Sequence, residues 1–155
     1  MNIAKRVKKL RNFMKERGVE AVIVSKLVNL RYFSGFTGDD SLLLITAERE
    51  FLLTDFRYVE QAGQETVFEI VEQKNGLWQQ AAELVEKVGC CSLGFEGRDI
   101  SFDIFNTFRK LLPQMGDNAF CSISLESLRE IKDEDEIYCL KRAVAISDQA
   151  FQDVL

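Results

Sequence analysis

Asp55-Phe56-Arg57-Tyr58 follows directly on an apolar run. It offers a carboxylate, a bidentate cation and a phenol at a strand end, where α/β proteins gather their sites. A structural Asp55–Arg57 pair is the plainer role for this trio. Asp39-Asp40 lie in a glycine-bearing loop and read as a solvated turn pair. Gly35-Phe36-Thr37-Gly38 is a Gly-x-x-Gly, which matches neither common phosphate-loop pattern. Asp133, Glu134, Asp135 and Glu136 form an acidic run at a helix start, where negative charge favours the helix dipole. Phe102, Phe105 and Phe108 recur at helical spacing and read as core, not as a base-stacking platform.

What is missing narrows the chemistry further. The 155 residues include no histidine, which excludes a Ser-His-Asp triad, a Cys-His pair and His-ligated zinc within them. Cys90, Cys91, Cys121 and Cys139 form no C-x-x-C, so they read as buried or half-buried thiols of a reducing cytoplasm. Twenty basic against 25 acidic residues give −5, which argues against nucleic acid as a partner. The charge is uneven: seven bases against one acid leave +6 over residues 1–17 and −11 over the remainder. The apolar runs are strand-sized, so no membrane span is expected.

Elements that would position these residues follow from periodicity. Ile3, Val7, Leu10 and Phe13/Met14 predict an amphipathic helix ending at Gly18, its basic residues forming a solvated face. Residues 19–25 predict a buried strand, 27–33 a helical turn, and 41–46 with 50–54 a hairpin. Residues 55–65 predict a helix, 66–71 a strand, 77–88 a helix and 92–96 a short strand. A helix capped by Asp99 or Ser101 and a strand over 119–125 complete the pattern. Alternating helices and strands around a hairpin indicate an α/β fold with a mixed sheet. Residues 133–155 read as one helix, opened by a capping box of Asp133 and Glu136. Its apolar stripe, Ile137, Leu140, Val144, Phe151 and Val154, runs to the end of the sequence, which suggests a piece of a longer protein.

Three separated segments carry a resemblance. Asn29-Leu30-Arg31-Tyr32-Phe33-Ser34-Gly35-Phe36-Thr37-Gly38 is similar to N-x-x-Y-[LF]-[ST]-G-F-x-G. Leu53-Thr54-Asp55-Phe56-Arg57-Tyr58, continuing to Gln61-Ala62, is similar to L-x-T-D-x-R-Y-x-x-Q-A. Leu128–Ile137 with Leu140–Ala143 resembles R-x-[IK]-K-x-x-x-E-[IL]-x-x-[LIM]-x-x-A. Together they resemble the N-terminal domain of the Xaa-Pro peptidases, the aminopeptidase P, prolidase and creatinase relatives.

The resemblance implies a three-layer, ribonuclease H-like α/β domain over residues 1–127. Its mixed sheet would have about five to six strands. Residues 128–155 would be a linker and the first helix of a catalytic "pita-bread" domain. That domain would hold two divalent metal ions (Mn, Co or Zn), with none held here. The implied partners are the chain's own C-terminal catalytic domain, a second subunit in a homodimer, and short proline-containing peptides. The N-terminal domain would shape the active-site entrance. By position, Asn29, Tyr32 and Phe36 are implied to approach the cleft, with Asp55, Arg57 and Tyr58 as fold support or cleft. Asn29 stands where some relatives have Asp, Phe56 replaces a small residue, and Asp39-Asp40 replaces a Ser-x-Gly loop. Two other readings stay open: a protein-binding module of an inactive homologue, and creatinase-like hydrolysis of a small guanidino acid with Arg57 binding carboxylate.

Overall fold

The computed structural model describes residues 2–154, which fall into two compact units, Asn2–Leu125 and 126–154. The first unit is a six-stranded mixed sheet between helices. Its strands are β1 (Ala21–Val24), β2 (Leu42–Thr46), β3 (Glu50–Thr54), β4 (Glu69–Glu72), β5 (Leu93–Phe95) and β6 (Phe120–Ser122), in the order β4-β3-β2-β1-β5-β6. β2 runs antiparallel to both β1 and β3, while β3–β4, β1–β5 and β5–β6 pair in parallel. Five strands therefore point one way and only β2 is reversed. The expected α/β class and mixed sheet are both observed.

The helices are α1 (Ile3–Arg17), α2 (Leu27–Ser34), α3 (Val59–Glu65), α4 (Leu77–Val88) and α5 (Phe102–Lys110). Successive strand residues face opposite sides of a sheet. Ala21, Ile23, Leu42, Leu44, Phe51 and Leu53 therefore share one face. They form a core with Ala81, Ala82, Leu84 and Val85 of α4 and with Phe108 of α5. Val22, Val24, Leu43, Ile45 and Leu52 face the other side and are equally buried. Burial on both faces explains why β1 and β2 read as continuous apolar runs rather than alternating ones. Gly94 of β5 sits in close packing. A Cβ there would lie 2.9 Å from Ile123 Cδ1 and 3.1 Å from Val22 Cγ2.

Several expectations needed correction. α3 starts at Val59, not Asp55, because the Asp55 carboxylate accepts the Arg57 backbone N–H at 2.8 Å and holds a turn there. Such side-chain bonds compete with helix. Phe102 is 76% exposed although Phe108 is buried. Residues six apart are offset by roughly 120° around a helix of 3.6 residues per turn, so the three phenylalanines cannot share one face. Phe105 instead stacks on Phe95 at 4.4 Å. Arg6 is buried rather than solvated. Its Nη1 donates to the Tyr32 carbonyl at 3.1 Å and its guanidinium lies 4.1 Å from the Tyr32 ring centroid. Cys91 and Cys139 are exposed, Cys90 and Cys121 half-buried, and all four are free thiols.

Gly18 closes α1 in the left-handed region at φ 66°, as its position predicted. Ser101 caps α5 by accepting from Ile104 N at 3.2 Å. In the second unit, α6 (Glu134–Val154) begins with a reciprocal capping box. Asp133 N donates to Glu136 Oε2 at 3.0 Å and Glu136 N donates to Asp133 Oδ1 at 2.9 Å. Ile137, Leu140, Val144, Phe151 and Val154 are all exposed.

One polar tie joins the strand ends. Glu96, buried just after β5, accepts the backbone N–H groups of Ser25 at 2.8 Å and Lys26 at 2.9 Å through Oε2. Its Oε1 accepts from Asn29 Nδ2. Lys26 is the N-cap position of α2 and has no side-chain cap bond of its own, so Glu96 serves the orphan donors at that end. Burial is the main influence on the carboxyl and pushes its pKa above the usual glutamate range, against the pull of those donors.

Two outcomes follow. Gly94→Val should lower the urea unfolding free energy by about 1–3 kcal/mol through overpacking. A carboxyl whose pKa rises on folding favours the folded state while protonated, and that contribution is lost as pH rises through the displaced pKa. Glu96→Gln stays neutral and keeps an oxygen for the two backbone donors. Urea midpoints measured against pH should show wild type losing stability relative to the variant as pH climbs out of the ordinary glutamate range. A constant difference between them would count against the assignment.

Candidate functional site

The reversed β2 brings its first residues to the same edge as the last residues of β1, β3 and β5. Ser25, Ser41, Asp55 and Glu96 therefore collect along one end of the sheet. Ser41 Oγ donates to the Asp39 carbonyl at 2.7 Å and makes a hydrogen bond of 2.8 Å with Thr54 Oγ1. A groove of ≈ 700 Å³ opens at this end. Asp39 to Leu42, Arg57 and Tyr58 line it together with Trp78, Asp99, Ile100 and Ile104. A concavity at the carboxyl ends of strands is the usual ligand position in open α/β sheets.

Asp55 and Arg57 form the pair that their spacing suggested. Arg57 Nε donates to Asp55 Oδ1 at 3.1 Å and Oδ2 at 2.9 Å, and Nη2 also reaches Asp55. The guanidinium beside it holds the Asp55 carboxyl below the usual aspartate range, and Asp55 in turn raises the pKa of Arg57. The Asp39-Asp40 turn is not merely solvated. Asp40 takes a left-handed φ of 42° and its Oδ2 accepts from Arg57 Nη2 at 3.0 Å. Two aspartates thus fix one arginine, a rigid arrangement for a planar donor.

The loop before β2 is anchored just as firmly. Thr37 N donates to Glu65 Oε2 at 2.7 Å, and Gln61 Nε2 donates to Thr37 Oγ1 at 2.9 Å. The Thr37 N–H holds the Glu65 carboxyl below the ordinary range. Phe36 is buried and meets Tyr58 edge-on at 6.1 Å. Gly38 lies directly on these two rings, since a Cβ there would collide with Phe36 Cζ and stand 2.8 Å from Tyr58 Cδ1. The Gly-x-x-Gly is therefore a close-packing device over an aromatic pair.

The six residues singled out from sequence separate into two groups. Asp55, Arg57, Tyr58 and Phe36 come together beside the groove. Asn29 and Tyr32 lie on α2, fully buried and nearly so, and tie that helix to Glu96 and Arg6 respectively. Asn29 and Phe36 present essentially no surface in this domain. Asn29 Oδ1 is buried without a hydrogen-bond partner. Sequence reasoning did not single out Glu96, Asp99 or Trp78. The available signal was a polar residue ending the apolar strand at Phe95-Glu96. Among the described residues no three His, Cys, Asp or Glu side chains gather to hold a metal ion. The described residues do not fit a two-metal centre.

Comparison with known proteins bears on this geometry. Residues 6–131 match the family model described as Creatinase/Prolidase N-terminal domain. An uncharacterized peptidase of Bacillus subtilis (strain 168), YqhT, is 34% identical over 151 residues, covering 97% of this chain and 42% of the relative. An Xaa-Pro dipeptidase from Bacillus anthracis superposes with a TM-score of 0.90 at 32% identity, over 99% of this chain and 43% of that one. The N-terminal domain of the cytoplasmic peptidase PepQ from Mycobacterium tuberculosis H37Rv superposes with a TM-score of 0.73 at 32% identity. That likeness covers 81% of this chain and 98% of that one. This chain therefore spans less than half the length of the first two relatives and nearly the whole of the third. The extent of the family match, with relatives above 30% identity, shows that the chain belongs to the creatinase/prolidase N-terminal domain family.

Proposed function

We propose that this chain is the non-catalytic N-terminal domain of an Xaa-Pro dipeptidase or aminopeptidase, a hydrolase cutting the bond before proline. The observation that carries the reading is the superposition of nearly the whole chain on less than half of an Xaa-Pro dipeptidase. The domain's role is to help shape the active-site entrance and to contribute to a homodimer. The firmly anchored Gly35–Ser41 segment and the groove beside Arg57 and Tyr58 support that role. They form a rigid, concave, polar edge suited to bordering a cleft. The unit over residues 126–154 reads as the lead into the catalytic domain. The family resemblance assigns that domain two divalent ions, which when bound would activate water for peptide hydrolysis.

The compartment we propose is the cytoplasm, on the strength of four free thiols. Among the described residues no helix is long and apolar enough to cross a membrane.

Two experiments test this reading. The purified 155-residue chain, given Mn²⁺, Co²⁺ or Zn²⁺, should release no proline from an Xaa-Pro dipeptide, and turnover would overturn the accessory role. A chimera carrying this chain in place of the matching segment of the Bacillus anthracis dipeptidase should retain hydrolysis of proline dipeptides. A folded but inactive chimera would count against a shared role.

A further inference from the structure

The helix α6 carries an apolar face that is open to solvent along its length. Ile137, Leu140, Val144, Phe151 and Val154 are all exposed, Ile137 the least at 42%. With Ser147 they occupy six positions spaced 3, 4, 3, 4 and 3 residues apart. That spacing is the narrow seam of a two-helix coiled coil, not the broader stripe of a helix lying on a globular core. Ser147 fits such a seam. Its hydroxyl donates to the Ala143 carbonyl at 3.1 Å, so it enters an apolar layer without losing a partner.

The residues beside the seam point the same way. Ala143 and Ala150 flank it on one side and let a second helix come close. Lys141 and Asp148 flank it on the other, both exposed and neither paired with an opposite charge among the described residues. They stand two turns apart, about 10 Å along the helix, too far to meet each other. The order of spacings reads the same from either end. A second copy laid antiparallel therefore meets the seam layer by layer: Ile137 on the partner's Val154, Leu140 on the partner's Phe151, and Val144 on the partner's Ser147. The same register sets Lys141 beside the partner's Asp148, once at each end of the pair. A parallel pair would set Lys141 against Glu136 instead, whose carboxylate already accepts the Asp133 backbone N–H. It would also place like helix ends together, which the antiparallel pair avoids.

We propose that this chain pairs with a second copy of itself through an antiparallel contact of α6 on α6. The contact is isologous, the same patch serving both copies. Helices of 21 residues bury an area at the low end for specific interfaces, so the pair is weak, with a Kd of about 10–100 μM. The inference rests on α6 alone and stands whether or not a parent protein hydrolyses peptides.

Sedimentation equilibrium of the 155-residue chain, at concentrations bracketing that range, should show monomer and dimer only. Leu140→Gln disrupts two layers of the seam and should weaken the dimer about tenfold or more. Ile146→Gln removes an apolar side chain that is more exposed than Leu140 but lies off the seam, and it should change nothing. Lys141→Glu and Asp148→Lys should each weaken the dimer about threefold to tenfold, less so in high salt, and together they should restore it. Restoration identifies the antiparallel pair, because in a parallel one Lys141→Glu faces Glu136 whatever stands at position 148. A chain that stays monomeric, with α6 bare or folded back on the rest of the chain, overturns the proposal. So do assemblies larger than a dimer, an effect of Ile146→Gln as large as that of Leu140→Gln, or a charge swap that restores nothing. Should a variant lose helix by circular dichroism, the concentration series on wild type still decides.

Discussion

Strands buried on both faces can place polar side chains only at their ends, and the rest of this domain depends on that constraint. β1, β2 and β3 have no wet face, so their residues are aliphatic or aromatic almost throughout. Ser25, Ser41, Asp55 and Glu96 occur where the strands stop. Reversal of β2 between two co-directional neighbours then gathers these four residues at one edge. The groove, the arginine clamp and the Glu96 tie are consequences of that placement.

The groups at this edge divide into those that hold and those that remain available. Glu96 is spent on the start of α2, Asp55 on Arg57, and Glu65 on the Thr37 loop. Their pKa displacements follow from this division. Glu96 moves up because burial outweighs its donors, while Asp55 moves down because the Arg57 guanidinium donates to it and Glu65 because the Thr37 N–H does. Stability contributed by the latter two is lost on acidification, and that contributed by Glu96 on alkalinisation. The available groups, Arg57 Nη1, Tyr58, Trp78, Asp39 and Asp99, are those around the groove.

Legibility varied with how local the cause was. Helix ends at Gly18 and Ser101, the β2–β3 hairpin and the Asp133–Glu136 capping box each rest on residues a few positions apart, and each was read from sequence. The Asp55–Arg57 pair was read for the same reason. Phe102 was misplaced because spacing by three resembles a helical stripe over one turn and departs from it over two. Arg6 was misplaced because only the packing of α1 on α2 brings the Tyr32 carbonyl and ring to it across 26 residues of chain. Glu96 carried only the mark of a polar residue ending an apolar strand, and Trp78 none of a groove residue, since their partners arrive from other elements.

Composition and short-range pattern by themselves determined the α/β class, the buried central strands, most caps and the absence of imidazole chemistry from these residues. Each of those is a matter of side-chain type and of neighbours within one turn or one hairpin. The tertiary structure alone decided that Asp40 shares Arg57 with Asp55, that Asn29 and Phe36 are buried, and that Gly38 is pressed against two rings. It also decided that the unspent donors and acids line one groove. Such relations depend on the order and direction of strands, and contacts between residues dozens of positions apart leave no periodic trace in the chain.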